Sequence, residues 1–192
     1  MSGVDVDVIR GVYKLSSSQS GKLLEVADAL DTDGANVVQW ADLGGPNQRW
    51  IIRKVVDDAY SIVNVQSGKA LEVLDLGTEN GANVVQYDNW RGDSQLWRIL
   101  DMGNGSVQLV NRLSEKSLTV VGGSNNDGAN VEQSAPGGAG QAWDLAFLGK
   151  VDGPIIDKSV TNGAENHWAI SGHNAVHDPT LFEENGVYYQ YN

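Results

Sequence analysis

The chain contains no cysteine, which removes disulfides, thiolate metal ligands and cysteine nucleophiles together. It has only four prolines and no apolar run near the ~18 residues that a membrane-spanning helix needs. Positive charge is scarce: 13 lysines and arginines stand against 25 aspartates and glutamates, for a net charge of −12. A chain this acidic, with no basic stripe, is repelled by phosphate backbones, so neither nucleic acid nor a membrane is expected as partner. Met1-Ser2-Gly3-Val4 shows neither the basic segment nor the apolar stretch of a secretion signal. No glycine-rich phosphate loop with a following lysine is present, and no cofactor is expected. Ser16-Ser17-Ser18 has no base beside it, so no serine nucleophile is argued.

What is abundant is glycine, 23 residues of 192, in a chain long enough for one ordinary domain and a remainder. Much of it falls in an internal repeat. Gly34-Ala35-Asn36-Val37, Gly81-Ala82-Asn83-Val84 and Gly128-Ala129-Asn130-Val131 recur with a period of 47 residues. Each is followed by a Gln-x-Trp signature, at Gln48 and Trp50, Gln95 and Trp97, and Gln141 and Trp143. Ser20-Gly21-Lys22, Ser67-Gly68-Lys69 and the weaker Ser114-Glu115-Lys116 mark the front of each unit. Within a unit, short runs such as Tyr60–Val65, Ala70–Val73, Val84–Tyr87 and Trp97–Leu100 are separated by turn signals. About four strands per unit, about twelve in all, and no amphipathic helical stretch predict an all-β fold closed with three-fold symmetry.

The three copies act as controls for one another. Leu24/Leu71/Leu118, Val26/Val73/Val120, Val37/Val84/Val131 and the tryptophans of the Gln-x-Trp pairs persist throughout and read as core. Gln39, Gln86 and Gln133 also persist, and are expected to satisfy backbone groups inside their own units. Other positions are kept in two units and lost from the third. Glu25 and Glu72 lie between core residues, hence on the opposite strand face, and become Thr119. Trp40 and Tyr87 become Ser134, and Asn47 becomes Ser94 and then Gly140. A carboxylate, a ring and an amide suit a sugar, whose vicinal hydroxyls take hydrogen bonds while its apolar face packs on the ring. The plainer alternative is two half-buried strand aromatics beside two solvated charges.

Three units of Gly-Ala-Asn-Val-(Val/Glu)-Gln followed by Gln-x-Trp resemble the ricin-B-type lectin repeat, a β-trefoil carbohydrate-binding domain, over residues 11–148. The resemblance implies one shallow sugar pocket per competent unit: Glu25, Trp40, Asn47 and Gln48 in the first, and Glu72, Tyr87, Trp90 and Gln95 in the second, where Ser94 departs from the pattern. The family usually carries aspartate where this chain has Glu25 and Glu72. The third unit, with Thr119, Ser134 and Gly140, is expected to be silent. Such pockets use no metal, and a shallow site gives single-site affinities of ~mM to μM. Two sites on one rigid body gain avidity on a polymer, which points to a polysaccharide or oligosaccharide ligand of the arabinan, xylan or galactan kind. The resemblance implies an extracellular protein, and a monomer is expected. A trefoil that binds protein instead of sugar is the alternative. Arg91-Gly92-Asp93 spells an adhesion tripeptide, but three residues recur by chance and these fall in a sugar-site loop.

Residues 1–10 precede the repeats, residues 11–150 form the trefoil, and residues 151–192 break the period. All three histidines fall in that last stretch, at His167, His173 and His177, with spacings that match no common zinc pattern. Asn174-Ala175-Val176-His177-Asp178-Pro179-Thr180, followed by a run around Asn185-Gly186, reads as a hairpin. It resembles the opening of the five-bladed propeller glycosidases of family 43, the arabinanase and xylosidase group, in which Asp178 would be the general base. Glycoside hydrolysis needs a second carboxyl group, which in that family lies far downstream. The expectation is therefore an inactive piece of a longer arabinan or xylan hydrolase.

Overall fold

The structure, a computed structural model, describes residues 11–150 and, further on, two short strands at 181–184 and 187–190. The chain divides into two units, Met1–Lys150 and Val151–Asn192. In the second, β13 (Leu181–Glu184) pairs antiparallel with β14 (Val187–Gln190), Leu181 opposite Gln190. The Asn174–Thr180 run, with Asp178 and the histidines, lies outside the described residues.

Among its described residues the first unit holds twelve strands, four per repeat. The first repeat supplies β1 (Gly11–Ser17), β2 (Leu23–Val26), β3 (Val37–Trp40) and β4 (Trp50–Val56). The second supplies β5 (Ala59–Asn64), β6 (Ala70–Val73), β7 (Val84–Tyr87) and β8 (Leu96–Asp101). The third supplies β9 (Val107–Asn111), β10 (Ser117–Val120), β11 (Ala129–Ser134) and β12 (Trp143–Gly149). No α-helix occurs among the described residues. The first and last strands of each repeat close a six-stranded antiparallel barrel in the order β1-β4-β5-β8-β9-β12 and back to β1. The middle strands form three hairpins, β2–β3, β6–β7 and β10–β11, which cap it. This is a β-trefoil. Closure removes the exposed edges that a twelve-stranded open sheet would present.

Period-2 patterning builds the barrel wall: along β1, Tyr13 and Leu15 are buried between half-exposed Val12, Lys14 and Ser16. Leu24, Leu71, Leu118, Val26, Val73, Val120, Val37, Val84, Val131 and the three signature tryptophans are all buried in one core cluster. Each tryptophan also finds a partner for its indole N–H, since a buried donor left alone is costly. Trp50 Nε1 donates to the Leu24 carbonyl (2.9 Å), Trp97 to Leu71 (3.0 Å) and Trp143 to Leu118 (3.1 Å).

The glutamines of the Gly-Ala-Asn-Val-x-Gln motif accept from Ser20, Ser67 and Ser114 of their own units, but the backbone groups their amides satisfy lie in a neighbouring repeat and not, as the sequence suggested, in their own. Gln86 Nε2 donates to the Leu30 and Thr32 carbonyls of the first repeat. Gln133 reaches Gly77 and Glu79 of the second, and Gln39 reaches Ser124 and Asn126 of the third. The motif lies on a hairpin beside the three-fold axis, so the nearest unsatisfied carbonyls belong to the neighbouring repeat. The motif glycines work the same seam: Gly34, Gly81 and Gly128, all at positive φ, donate to the Gln86, Gln133 and Gln39 carbonyls. Between them Asn36, Asn83 and Asn130 close a ring, each amide donating to the next at 2.9 Å.

Candidate functional site

Both sites expected from the sequence lie on the outer face of a cap hairpin, under the loop that leads to the next barrel strand. On β2–β3, Glu25 stands opposite Val38, and Trp40, two residues on, shares that face. On β6–β7, Glu72 stands opposite Val85, with Tyr87 on the same face. Neither glutamate is a solvated charge: Glu25 is 7% and Glu72 6% exposed. The rings beside them are open, Trp40 at 37% and Tyr87 at 39%.

A glutamine from each loop holds the carboxylate. Gln48 Nε2 donates to Glu25 Oε2 at 2.5 Å and to the Ala41 carbonyl, while its Oε1 accepts from the Leu43 amide. Gln95 Nε2 donates to Glu72 Oε2 at 2.5 Å and to the Asp88 carbonyl, while its Oε1 accepts from the Trp90 and Arg91 amides. Both glutamines are fully buried, so their part in either pocket is to orient the carboxylate. The second pocket has an addition: Trp90 Nε1 also donates to Glu72 Oε2, at 3.2 Å, and its ring is 53% exposed. Leu43 takes the equivalent place in the first. Burial pushes both carboxyl groups above the ordinary glutamate value. Gln48 partly offsets this for Glu25, whose proton Asp127 and Asp28 help to hold. Gln95 and Trp90 do the same for Glu72, against the charge of Asp33.

Asn47 is half-buried and donates to the Val26 carbonyl at 3.1 Å, tying the loop to the strand that carries Glu25. Its own carbonyl is held from the next repeat, where Asn64 Nδ2 donates to it at 2.9 Å. Asn111 does the same for Ser94 at 2.8 Å. At the matching place for the third repeat stands Ser17, buried and with no partner for its hydroxyl. Asn64, Asn111 and Ser17 thus follow the pattern of two present and one lost. The sequence hides it because each asparagine sits one repeat beyond the pocket it supports.

The third repeat closes on itself. Thr119 Oγ1 and Ser134 Oγ lie 2.8 Å apart, and Gln141 Nε2 donates to both and to the Ala135 carbonyl. Its loop is built of small residues, Gly137 to Gly140, and leaves a cavity of about 310 Å³ that Gln19, Met102 and Gln108 also line. Backbone strain follows the same division. Asp28-Ala29 and Asp75-Leu76, just after the strands of the two glutamates, all hold positive φ, where the third repeat has Gly122-Gly123. No cluster of three or more metal-ligating side chains occurs among the described residues.

The fold is shared with known proteins. The chain belongs to the ricin-type β-trefoil lectin domain-like family, whose model matches residues 5–87 and 54–134. Among solved structures it is similar to ThreeFoil, a designed three-fold symmetric protein, at 47% identity over 72% of this chain and 99% of that one (TM-score 0.71). It is also similar to an exo-β-1,3-galactanase from Clostridium thermocellum, at 35% identity over 73% of this chain (TM-score 0.70). The matched stretch spans only 31% of that enzyme. A ricin B-like lectin from Macrolepiota procera, solved with lactose, shares the fold at 18% identity (73% of this chain, 99% of that one, TM-score 0.62). No curated protein sequence matches the chain.

Proposed function

We propose that the trefoil is a non-catalytic carbohydrate-binding module with two pockets, Glu25, Trp40, Asn47 and Gln48 in the first and Glu72, Tyr87, Trp90 and Gln95 in the second. One observation carries this reading. In two repeats a buried carboxylate, fixed by a buried glutamine, lies beside an exposed ring, and the third repeat has lost both together. A carboxylate offers about four acceptor positions, of which Gln48 takes one on Glu25, and Gln95 and Trp90 one each on Glu72, leaving others for vicinal hydroxyls. The negative pockets and the net charge of −12 disfavour acidic glycans, so neutral polymers of the galactan, arabinan or xylan kind fit best. The galactanase relative, which carries a similar trefoil within a longer chain, favours galactan. Its activity also supports a glycoside hydrolase as the parent; that the parent is secreted, with residues 151–192 opening its catalytic domain and Asp178 as that domain's base, rests on the sequence resemblance alone.

Calorimetric titration of the chain with galactan, arabinan and xylan oligosaccharides tests the module. Trp40→Ala and Tyr87→Ala should each remove one site, and the double variant both. Binding unchanged in the double variant would sink the assignment of these residues. A wild type that binds none of the glycans would favour a protein-binding trefoil.

A further inference from the structure

A glycine three residues before the Gln-x-Trp glutamine recurs in all three repeats, as Gly45, Gly92 and Gly138. Backbone conformation does not require it. Gly45 (φ −68°, ψ 155°) and Gly92 (φ −72°, ψ 165°) are extended, in a region open to any residue. What requires glycine is a side chain lying directly on it. A methyl group at Gly92 would fall inside the Trp90 ring, touching three of its carbons. One at Gly45 would collide with Asn47 Oδ1. At Gly138 the nearest atom is Gln141 Nε2, at an ordinary contact distance of 3.4 Å. The three repeats therefore share a glycine whose neighbour differs: an amide pressed on it in the first, an indole in the second, and in the third no side chain closer than ordinary contact.

We propose that Gly92 is a positioning residue that seats the Trp90 indole against Glu72, and that this second ring makes the second pocket select two consecutive sugars where the first reads one. The positioning stands on geometry alone; the sugar-length preference rests on the carbohydrate reading above. Seated on Gly92, Trp90 turns its Nε1 to Glu72 Oε2 at 3.2 Å and leaves more than half its surface open. Trp90 and Tyr87 then border one carboxylate, and each ring offers a stacking face for one pyranose or furanose. The first pocket has Trp40 alone, because Leu43 stands where Trp90 would be and is 73% exposed. One extra stack corresponds to roughly a tenfold gain for a disaccharide over its monosaccharide.

Gly92→Ala tests both parts, because alanine suits the backbone there and the fold should persist. The six tryptophan indole N–H signals are followed by NMR, with Trp90→Phe identifying that of Trp90. Gly92→Ala should shift this signal and speed its hydrogen exchange, while Gly138→Ala, where no side chain presses on the glycine, leaves it in place. A Trp90 signal unchanged in Gly92→Ala overturns the positioning. Galactose, xylose and arabinose with their β-1,3-, β-1,4- and α-1,5-linked disaccharides are then titrated. The second pocket's disaccharide preference should fall about tenfold in Gly92→Ala and persist in Gly138→Ala. A shifted indole with an undiminished preference overturns the selectivity. A wild type that binds none of these sugars overturns the carbohydrate reading and the length preference with it, while the indole signal still decides the positioning.

Discussion

The second and third repeats share a core and differ on the outer face of the cap hairpin. Leu71, Val73, Val84 and Trp97 have counterparts in Leu118, Val120, Val131 and Trp143, all fully buried. On the outer face of the same hairpin, a buried carboxylate in one is a threonine in the other, and an open ring is a serine satisfied by its neighbours. A core position sees the other two repeats across the axis and is constrained by them. An outward position is held by fewer groups, its own loop and a few from a neighbouring repeat such as Asp127 near Glu25 and Asp33 near Glu72, so it changes with less disturbance to the rest.

The largest effect expected is in the shared core. Trp97→Ala and Trp143→Ala should each destabilise the fold by about 4 kcal/mol, through lost burial and an unpaired Leu71 or Leu118 carbonyl. Urea unfolding of the two variants checks whether they are equivalent. Costs differing by more than about 2 kcal/mol would break the comparison at its base.

A smaller effect should separate the repeats by pH. Burial raises the Glu25 and Glu72 pKa values above the ordinary 4.5, so each group holds its proton more tightly folded than unfolded. Ionisation of these two therefore costs stability above their folded pKa, and that cost is relieved as pH falls through it. Sugar binding should run the other way, since a protonated glutamate loses acceptor capacity: affinity drops on acidification, beginning above pH 4.5. Glu72→Gln should raise stability at pH 7 and remove the second pocket's response, leaving that of the first. Titrations across pH 4 to 8 would show it, and an acid-insensitive wild type would mean that the carboxylates do not contact ligand.

The smallest effect concerns strain. Leu76 holds φ 57° where the third repeat has Gly123 at 58°. Leu76→Gly should relieve it and stabilise by about 0.5 kcal/mol, after the extra freedom glycine gives the unfolded chain. A melting temperature that falls instead would show the Leu76 side chain to be holding its turn.

Much of this was legible in one dimension, for identifiable reasons. A 47-residue period with alternating apolar positions is enough for twelve strands and a three-fold core, because burial needs only the right residues at the right spacing. Glu25, Trp40, Glu72 and Tyr87 were legible as a pattern because the third repeat served as internal comparison. The roles of Gln86, Asn64 and Gly92 were not. Gln86 bonds a repeat that precedes it, Asn64 supports a pocket one repeat behind, and Gly92 is required by a ring two residues away that only folding lays across it. The amino-acid order alone thus determined which residues are inside and how often the unit recurs, since both follow from periodicity. Which polar groups meet across the repeats, and which surface residues are buried rather than solvated, was decided by closing the barrel, because closure sets distances that sequence separation does not contain.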